Sequence, residues 1–218
     1  LIKRCMLMDT CYIIGAGDVF DTDLLADDSD YIICADGGYK YRHIFDRGPD
    51  LVIGDFDSLG HIPQTEDKIV YPSEKDESDM QLCVDKGFEK GYRRFVILGG
   101  LGGERMDHSI ANIQLLHYIA SKSAVGYLLH KKIIFTCIRD TTVYFSKKCK
   151  GYISVFSLSD ESRGVTIKNL RYETDSIVLH NNNVLGLSNE FTGKPSEISV
   201  KNGALLIGWN GEVSDCYF

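Results

Sequence analysis

Paired cysteines, proline and long apolar runs are all scarce in this chain, and each scarcity excludes something. Seven cysteines form an odd set with no Cys-x-x-Cys spacing, so neither a disulfide framework nor a zinc ribbon is supported, and a reducing cytoplasm is the expected setting. Four prolines and no low-complexity tract leave nothing that reads as a flexible linker. The apolar runs are strand-sized, so no membrane partner is expected, and the first ten residues, which carry no recognisable export signal, are set aside. Basic charge is also in deficit: 24 Lys and Arg stand against 31 Asp and Glu, a net charge of −7, which argues against nucleic acid or an anionic membrane as a partner.

What is present is ample core material. Hydrophobic residues make up 44% of 218, enough for a sizeable core shared between two modest domains. From Tyr12 to about His130, short apolar runs alternate with longer amphipathic ones, which is the pattern of a parallel α/β sheet. Strands are expected at Tyr12–Gly15, Tyr31–Ala35, Leu51–Gly54, Lys68–Tyr71, Phe95–Gly99 and Gly126–His130. One helix should begin at Ser78, which forms a capping box with Gln81, and stop at Gly91; another should run from about Ser109 to Ser121. Beyond Lys131 the texture changes to β-branched and aromatic runs broken by Gly, Asn and Ser, which predicts an antiparallel β domain. Within it, Asn202-Gly203 between Ile198–Val200 and Ala204–Ile207 predicts a two-residue hairpin turn. The domains are therefore placed at 1–131 and 132–218.

The chemically distinctive residues follow the expected strands one after another. Gly15-Ala16-Gly17-Asp18 follows the first, Asp36-Gly37-Gly38 the second, Asp55-Phe56-Asp57-Ser58 the third, Lys75-Asp76-Glu77-Ser78-Asp79 the fourth, and Gly99 to His108 the fifth. The carboxyl ends of parallel strands line the ligand crevice of such sheets, so these segments should converge on one edge. Asp55, Asp57 and Asp79 gathered there would repel one another unless a cation joined them, and magnesium, which takes hard oxygen ligands and keeps places for substrate phosphates, is the natural one. Taken singly, the same aspartates are ordinary turn and helix-start residues. Glycines 99, 100, 102 and 103 leading into a helix would bare backbone N–H groups to phosphate, with Arg105 to grip its oxygens. No Gly-Lys-Ser/Thr follows, so this is not a P-loop. Asp107 suits an N-cap, a nucleotide contact or an indirect magnesium partner, and His108 a cap or a general base.

In order and content, Ala35-Asp36-Gly37-Gly38, Gly54-Asp55-Phe56-Asp57-Ser58, Lys75-Asp76-Glu77-Ser78-Asp79, the glycine stretch ending Arg105-Met106-Asp107-His108, and Gly186-Leu187-Ser188-Asn189-Glu190 resemble successive motifs of the thiamine pyrophosphokinase family. Glu104 is an extra residue before the arginine, and Ser78 stands where the family often has threonine. The resemblance implies a parallel Rossmann-like sheet with helices on both faces, followed by a smaller all-β sandwich. It implies a homodimer with the active site near the subunit interface, and the conversion of ATP and thiamine to AMP and thiamine diphosphate. Carried over by position, Asp55, Asp57 and Asp79 would hold magnesium. Asp36, Gly37, Gly38, Lys75, Asp76, Gly102, Gly103, Arg105, Asp107 and His108 would surround the nucleotide, and Ser188 and Asn189 would help form the thiamine pocket. Trp209, the only tryptophan, is expected in the core or an interface.

Two other readings compete. Asp55-Phe56-Asp57 after an apolar strand resembles the nucleophile motif of haloacid-dehalogenase-type phosphatases, although Leu59 stands where Thr or Val is usual. A nucleotide- or thiamine-binding protein without turnover would keep the fold with less need for so many carboxylates.

Overall fold

The computed structural model describes residues 9–20, 24–57, 59–65 and 67–218, and in it the chain divides into two compact units. The first takes the chain up to Asn112 together with Leu128–His130. Its strands are β1 (Thr10–Ile14), β2 (Tyr31–Ala35), β3 (Leu51–Gly54), β4 (Lys68–Val70) and β5 (Arg94–Leu98), with helix α1 (Asp79–Glu89) before β5. They pair in parallel in the order β5-β1-β2-β3-β4. The sequence accounts for this directly. β1 and β3 are buried at every position, as apolar strands covered on both faces must be, whereas β4, at the edge, is short and mostly exposed.

Helix α1 starts where its cap predicts: Ser78 is extended and its hydroxyl accepts the Gln81 N–H at 3.2 Å. Gly91, with φ +94°, ends the helix as expected, and α1 packs on β1, β2 and β3. Helix α2 (Met106–Ser121) begins three residues earlier than the apolar spacing suggested, because the N–H groups of His108 and Ser109 already bond to the Arg105 carbonyl. The motif Arg105–His108 is thus the helix's first turn. The division between the units runs through α2, after Asn112, and through β6 (Val125–His130), after Tyr127.

The second unit holds Ile113–Tyr127 and Lys131–Phe218, so half of a helix accompanies its strands. These are β7 (Ile133–Arg139), β8 (Thr142–Phe145), β9 (Tyr152–Ser157), β10 (Glu161–Lys168), β11 (Thr174–His180), β12 (Asn189–Glu190), β13 (Ser196–Ser199), β14 (Ala204–Asn210) and β15 (Cys216–Tyr217). All pair antiparallel, in the orders β12-β9-β14-β7 and β11-β10-β13-β8-β15. Side chains of the two groups interdigitate. Trp209 of β14 is fully buried with its ring edge-on to Phe145 of β8 at 5.2 Å, and the Ser162 hydroxyl of β10 donates to the Ala204 carbonyl of β14 at 2.9 Å. Trp209 is therefore a core residue.

The expected Asn202-Gly203 hairpin does not form. β13 pairs with β10 and β8, whereas β14 pairs with β7 and β9, so the turn carries the chain from one sheet to the other. Competing interactions hold it there: Asn202 exchanges backbone hydrogen bonds with Arg163, and the Gly203 N–H donates to the Asp140 carboxylate at 2.8 Å. Among the described residues no helix is long and apolar enough to cross a membrane.

Removing the Phe145 ring should leave a cavity against Trp209. Phe145→Ala is expected to cost on the order of 3–5 kcal/mol. Denaturant melts followed by the emission of Trp209 should show the loss, with the native emission shifted to the red.

Candidate active site

The loops after β1, β2, β3 and β5 carry the distinctive residues, and the parallel topology brings their starts to one end of the sheet. Asp36 follows β2 directly and opens the short 3-10 helix Asp36–Tyr41; Asp55 follows β3; Asp79 is the first residue of α1. One carboxylate oxygen from each lies within 4.8 Å of the other two. Asp36 is 8% exposed, its backbone is left-handed at φ +41°, and its Oδ1 is buried without a hydrogen-bond partner. A buried carboxylate oxygen with no donor, in a strained backbone and beside two more carboxylates, is costly on every count. Gly54 permits the arrangement: a Cβ there would sit 2.8 Å from the Asp36 Cβ.

Partial compensation comes from Lys75, whose ammonium donates to Asp79 Oδ1 at 2.6 Å and lies 5.6 Å from the centre of the Tyr71 ring. The balance still leaves the Asp79 carboxyl titrating above its ordinary range. Burial is the largest cause; Lys75 opposes it, and the charges of Asp36 and Asp55 add to it. Three hard oxygen donors, one of them lacking any partner, suit a divalent cation such as magnesium.

The site expected from sequence is thus rearranged in one respect. Asp55 and Asp79 meet as anticipated, but the third member of the close group is Asp36, which the motif reading had set beside the nucleotide. Asp57 is exposed, and its N–H donates to Asp55 Oδ1 at 3.3 Å, while Phe56 between them is left-handed and buried. Ser58 lies outside the described residues. Gly37 and Gly38 are buried in the turn behind Asp36, and Asp76 is exposed ahead of α1.

On the β5 side, the two glycine segments lock onto each other. The N–H groups of Gly15, Gly17 and Asp18 donate to the carbonyls of Leu98, Gly99 and Leu101 at 2.8–2.9 Å. Gly102, at φ +77°, abuts the Asp18 carboxylate so closely that a Cβ would come within 2.2 Å of Oδ2. Gly103 follows at φ +74°, and Glu104 is exposed, so the extra residue lengthens the loop. Arg105 and Asp107, both largely exposed, pair through two guanidinium nitrogens, and this holds the Asp107 carboxyl down at about 2. His108 is exposed in the same turn.

Sequence reasoning gave no individual role to three supporting residues. Lys40, four places after Asp36, donates to the Ala16 carbonyl at 2.9 Å and puts a cation beside the first loop. Asp18 buttresses Gly102. Asn112, a buried amide on α2, donates to the Gly100 carbonyl at 2.7 Å; a lone asparagine among Ile110, Ile113 and Leu116 was the available signal.

In the second unit, Ser188 is left-handed at φ +60° and its N–H donates to Ser154 Oγ at 3.1 Å. Asn189 is buried, and its amide is saturated by backbone: Oδ1 accepts from Tyr172 and Glu190, and Nδ2 donates to the Tyr172 carbonyl at 2.7 Å. Beside them Val184, Leu185 and Leu187 are 66%, 66% and 55% exposed.

Comparison with known proteins gives a consistent picture. The model of the thiamin pyrophosphokinase catalytic domain matches residues 22–127, and that of the thiamin pyrophosphokinase vitamin B1 binding domain matches residues 140–205. A thiamine pyrophosphokinase of Bacillus subtilis (strain 168) is 28% identical over 168 residues, covering 73% of this chain and 77% of its own. Among solved structures, the fold is shared with thiamine pyrophosphokinase from Bacillus subtilis (TM-score 0.78, 24% identity, 94% of this chain and 100% of that one). It is shared also with thiamin pyrophosphokinase from Candida albicans (TM-score 0.72, 16% identity, 93% and 89%). The phosphatase and the silent binder considered above draw no support from these matches.

If the three carboxylates are held together at a cost, neutralising one should relieve it. Asp36→Asn is expected to raise the melting temperature in chelator by about 2–4 °C, the shift that goes with roughly 1 kcal/mol in a chain of this size. The stabilisation that added magnesium gives the unaltered protein by mass action should be lost in the same variant. Thermal melts with and without magnesium check both halves.

Proposed function

The chain belongs to the thiamin pyrophosphokinase family, with thiamine diphosphokinase as its activity, and on that premise we propose that the crevice beside Asp36, Asp55 and Asp79 is where ATP gives its pyrophosphoryl group to the hydroxyl of thiamine, releasing AMP. The observation that carries this reading is the close group of three carboxylates with an unpartnered, buried Asp36 oxygen, at the strand ends where a Rossmann-like sheet takes its ligand.

Asp36, Asp55 and Asp79 would hold magnesium, and the Asp57 N–H fixes the Asp55 carboxylate in place. Magnesium, when bound, supplies neutralising charge to the phosphate oxygens. The chain's own residues do the rest. Gly38 and Gly102 let the backbone pack where a Cβ would strike the Ile14 carbonyl and the Asp18 carboxylate, and Gly103 leaves open main chain beside the loop for phosphate. Lys75 and Arg105 add positive charge along the polyphosphate, with Asp76 and His108 completing the nucleotide contacts. The thiamine hydroxyl then attacks the β-phosphorus with AMP leaving in line, and positioning with charge stabilisation supplies most of the rate. No strong protein base is assigned, since positioning and charge stabilisation carry the transfer.

Thiamine is assigned to Ser188 and Asn189 of the second unit. The left-handed Ser188 and the backbone-locked Asn189 give a rigid turn there, and the match to a vitamin B1 binding domain covers both. A homodimer is proposed as the working assembly; the exposed Val184, Leu185 and Leu187 side chains supply apolar surface for a second copy. Among the described residues the cysteines are buried thiols, which supports a reducing, cytoplasmic setting.

Incubation with ATP, magnesium and thiamine should yield AMP, and no ADP, in proportion to thiamine consumed. Asp55→Asn should cut kcat on the order of 10²–10³-fold, the effect of losing one key electrostatic group. Turnover near that of the unaltered protein in a folded Asp55→Asn variant contradicts the assignment.

A further inference from the structure

At the mouth of the glycine loop, Arg105 has its guanidinium occupied. Nε donates to both Asp107 oxygens, at 2.9 and 3.2 Å, and Nη2 donates to Oδ2 at 2.6 Å. This two-pronged grip is the one an arginine fork makes on a carboxylate and on a phosphate alike. The place is also one where an anion is favoured. Asp107 lies in the first turn of α2, so its carboxylate stands at the positive end of the helix, next to the left-handed Gly102 and Gly103. Both side chains are about two-thirds exposed, at 66% and 63%, so the pair is weak enough to exchange for another anion. A carboxylate still gripping Arg105 when a triphosphate arrived would both occupy the fork and repel the newcomer.

We propose that Asp107 is a positioning residue for Arg105, an internal stand-in for phosphate that aims the guanidinium at the loop mouth and surrenders it when the nucleotide's phosphates enter. This rests on the reading of the crevice as an ATP site. Asp107 therefore acts through Arg105 and opposes nucleotide binding by competition, the reverse of what a direct nucleotide or metal contact would do.

The test uses α,β-methylene-ATP with magnesium, an analogue whose α–β bridge the enzyme does not cleave, so that binding is read apart from turnover. Dissociation constants are measured for the full chain, Asp107→Asn, Arg105→Gln and the double variant. Asp107→Asn is expected to bind the analogue about two- to fivefold more tightly, the range set by an exposed ion pair. The gain should vanish when Arg105 is already Gln. KM for ATP should fall in parallel with little change in kcat. Weaker or unchanged binding by Asp107→Asn overturns the proposal, as does an equal gain in both Arg105 backgrounds, which would mean that Asp107 acts on its own. Asp107→Ser, which keeps a hydroxyl at the helix start, repeats the measurement should the asparagine variant misfold. Failure of the wider reading looks different: the unaltered protein would form no AMP from ATP and thiamine, whatever the order of these affinities.

Discussion

Three carboxylates held within 4.8 Å of one another are the constraint on which the rest of the first unit depends. Like charges at that spacing in a half-buried crevice oppose folding, and the Asp36 oxygen left without a donor adds to the opposition. The surrounding structure imposes the arrangement. Parallel pairing of β2 and β3 fixes the backbones that deliver Asp36 and Asp55, the absence of a side chain at Gly54 lets them approach, and the Ser78 cap fixes where α1 presents Asp79. Strain and repulsion maintained at one place by an otherwise well-packed sheet are costs that a bound cation would relieve.

The β5 side of the sheet end is built on a different principle. There the two glycine segments bond to each other through backbone alone, which leaves a surface of main chain close to where α2 begins. Lys75, Lys40 and Arg105 contribute cationic groups, and two of them are already engaged with carboxylates of the same unit.

Much of this was legible in the sequence. The strands of the first unit were readable because buried parallel strands are continuous apolar runs, and α1 because Ser78, Gln81 and Gly91 punctuate it. The order of motifs along those strands anticipated that their loops start at one end of the sheet. What the sequence could not convey was which of neighbouring aspartates face one another. Asp55 and Asp57 are close in the chain, but Phe56 takes a left-handed, buried conformation, and it is Asp36, from another strand, that joins Asp55 and Asp79. The Asn202-Gly203 turn was misread for a related reason. Local turn chemistry favoured a hairpin, yet the contacts of Asn202 with Arg163 and of Gly203 with Asp140 are remote in sequence and draw the two strands into different sheets. Asn189 is fastened by backbone groups of Tyr172 and Glu190 that only the folded chain assembles.

The central claim is that Asp36, Asp55 and Asp79 together hold one divalent cation. Crystals of the protein grown with manganese in place of magnesium and measured at an anomalous wavelength test it most directly. A single strong peak within metal-bonding distance of all three carboxylates, about 2.0–2.3 Å from their oxygens, is the expected result. A peak bound by Asp55 and Asp57 away from Asp36, or none in the crevice at saturating metal, contradicts the account.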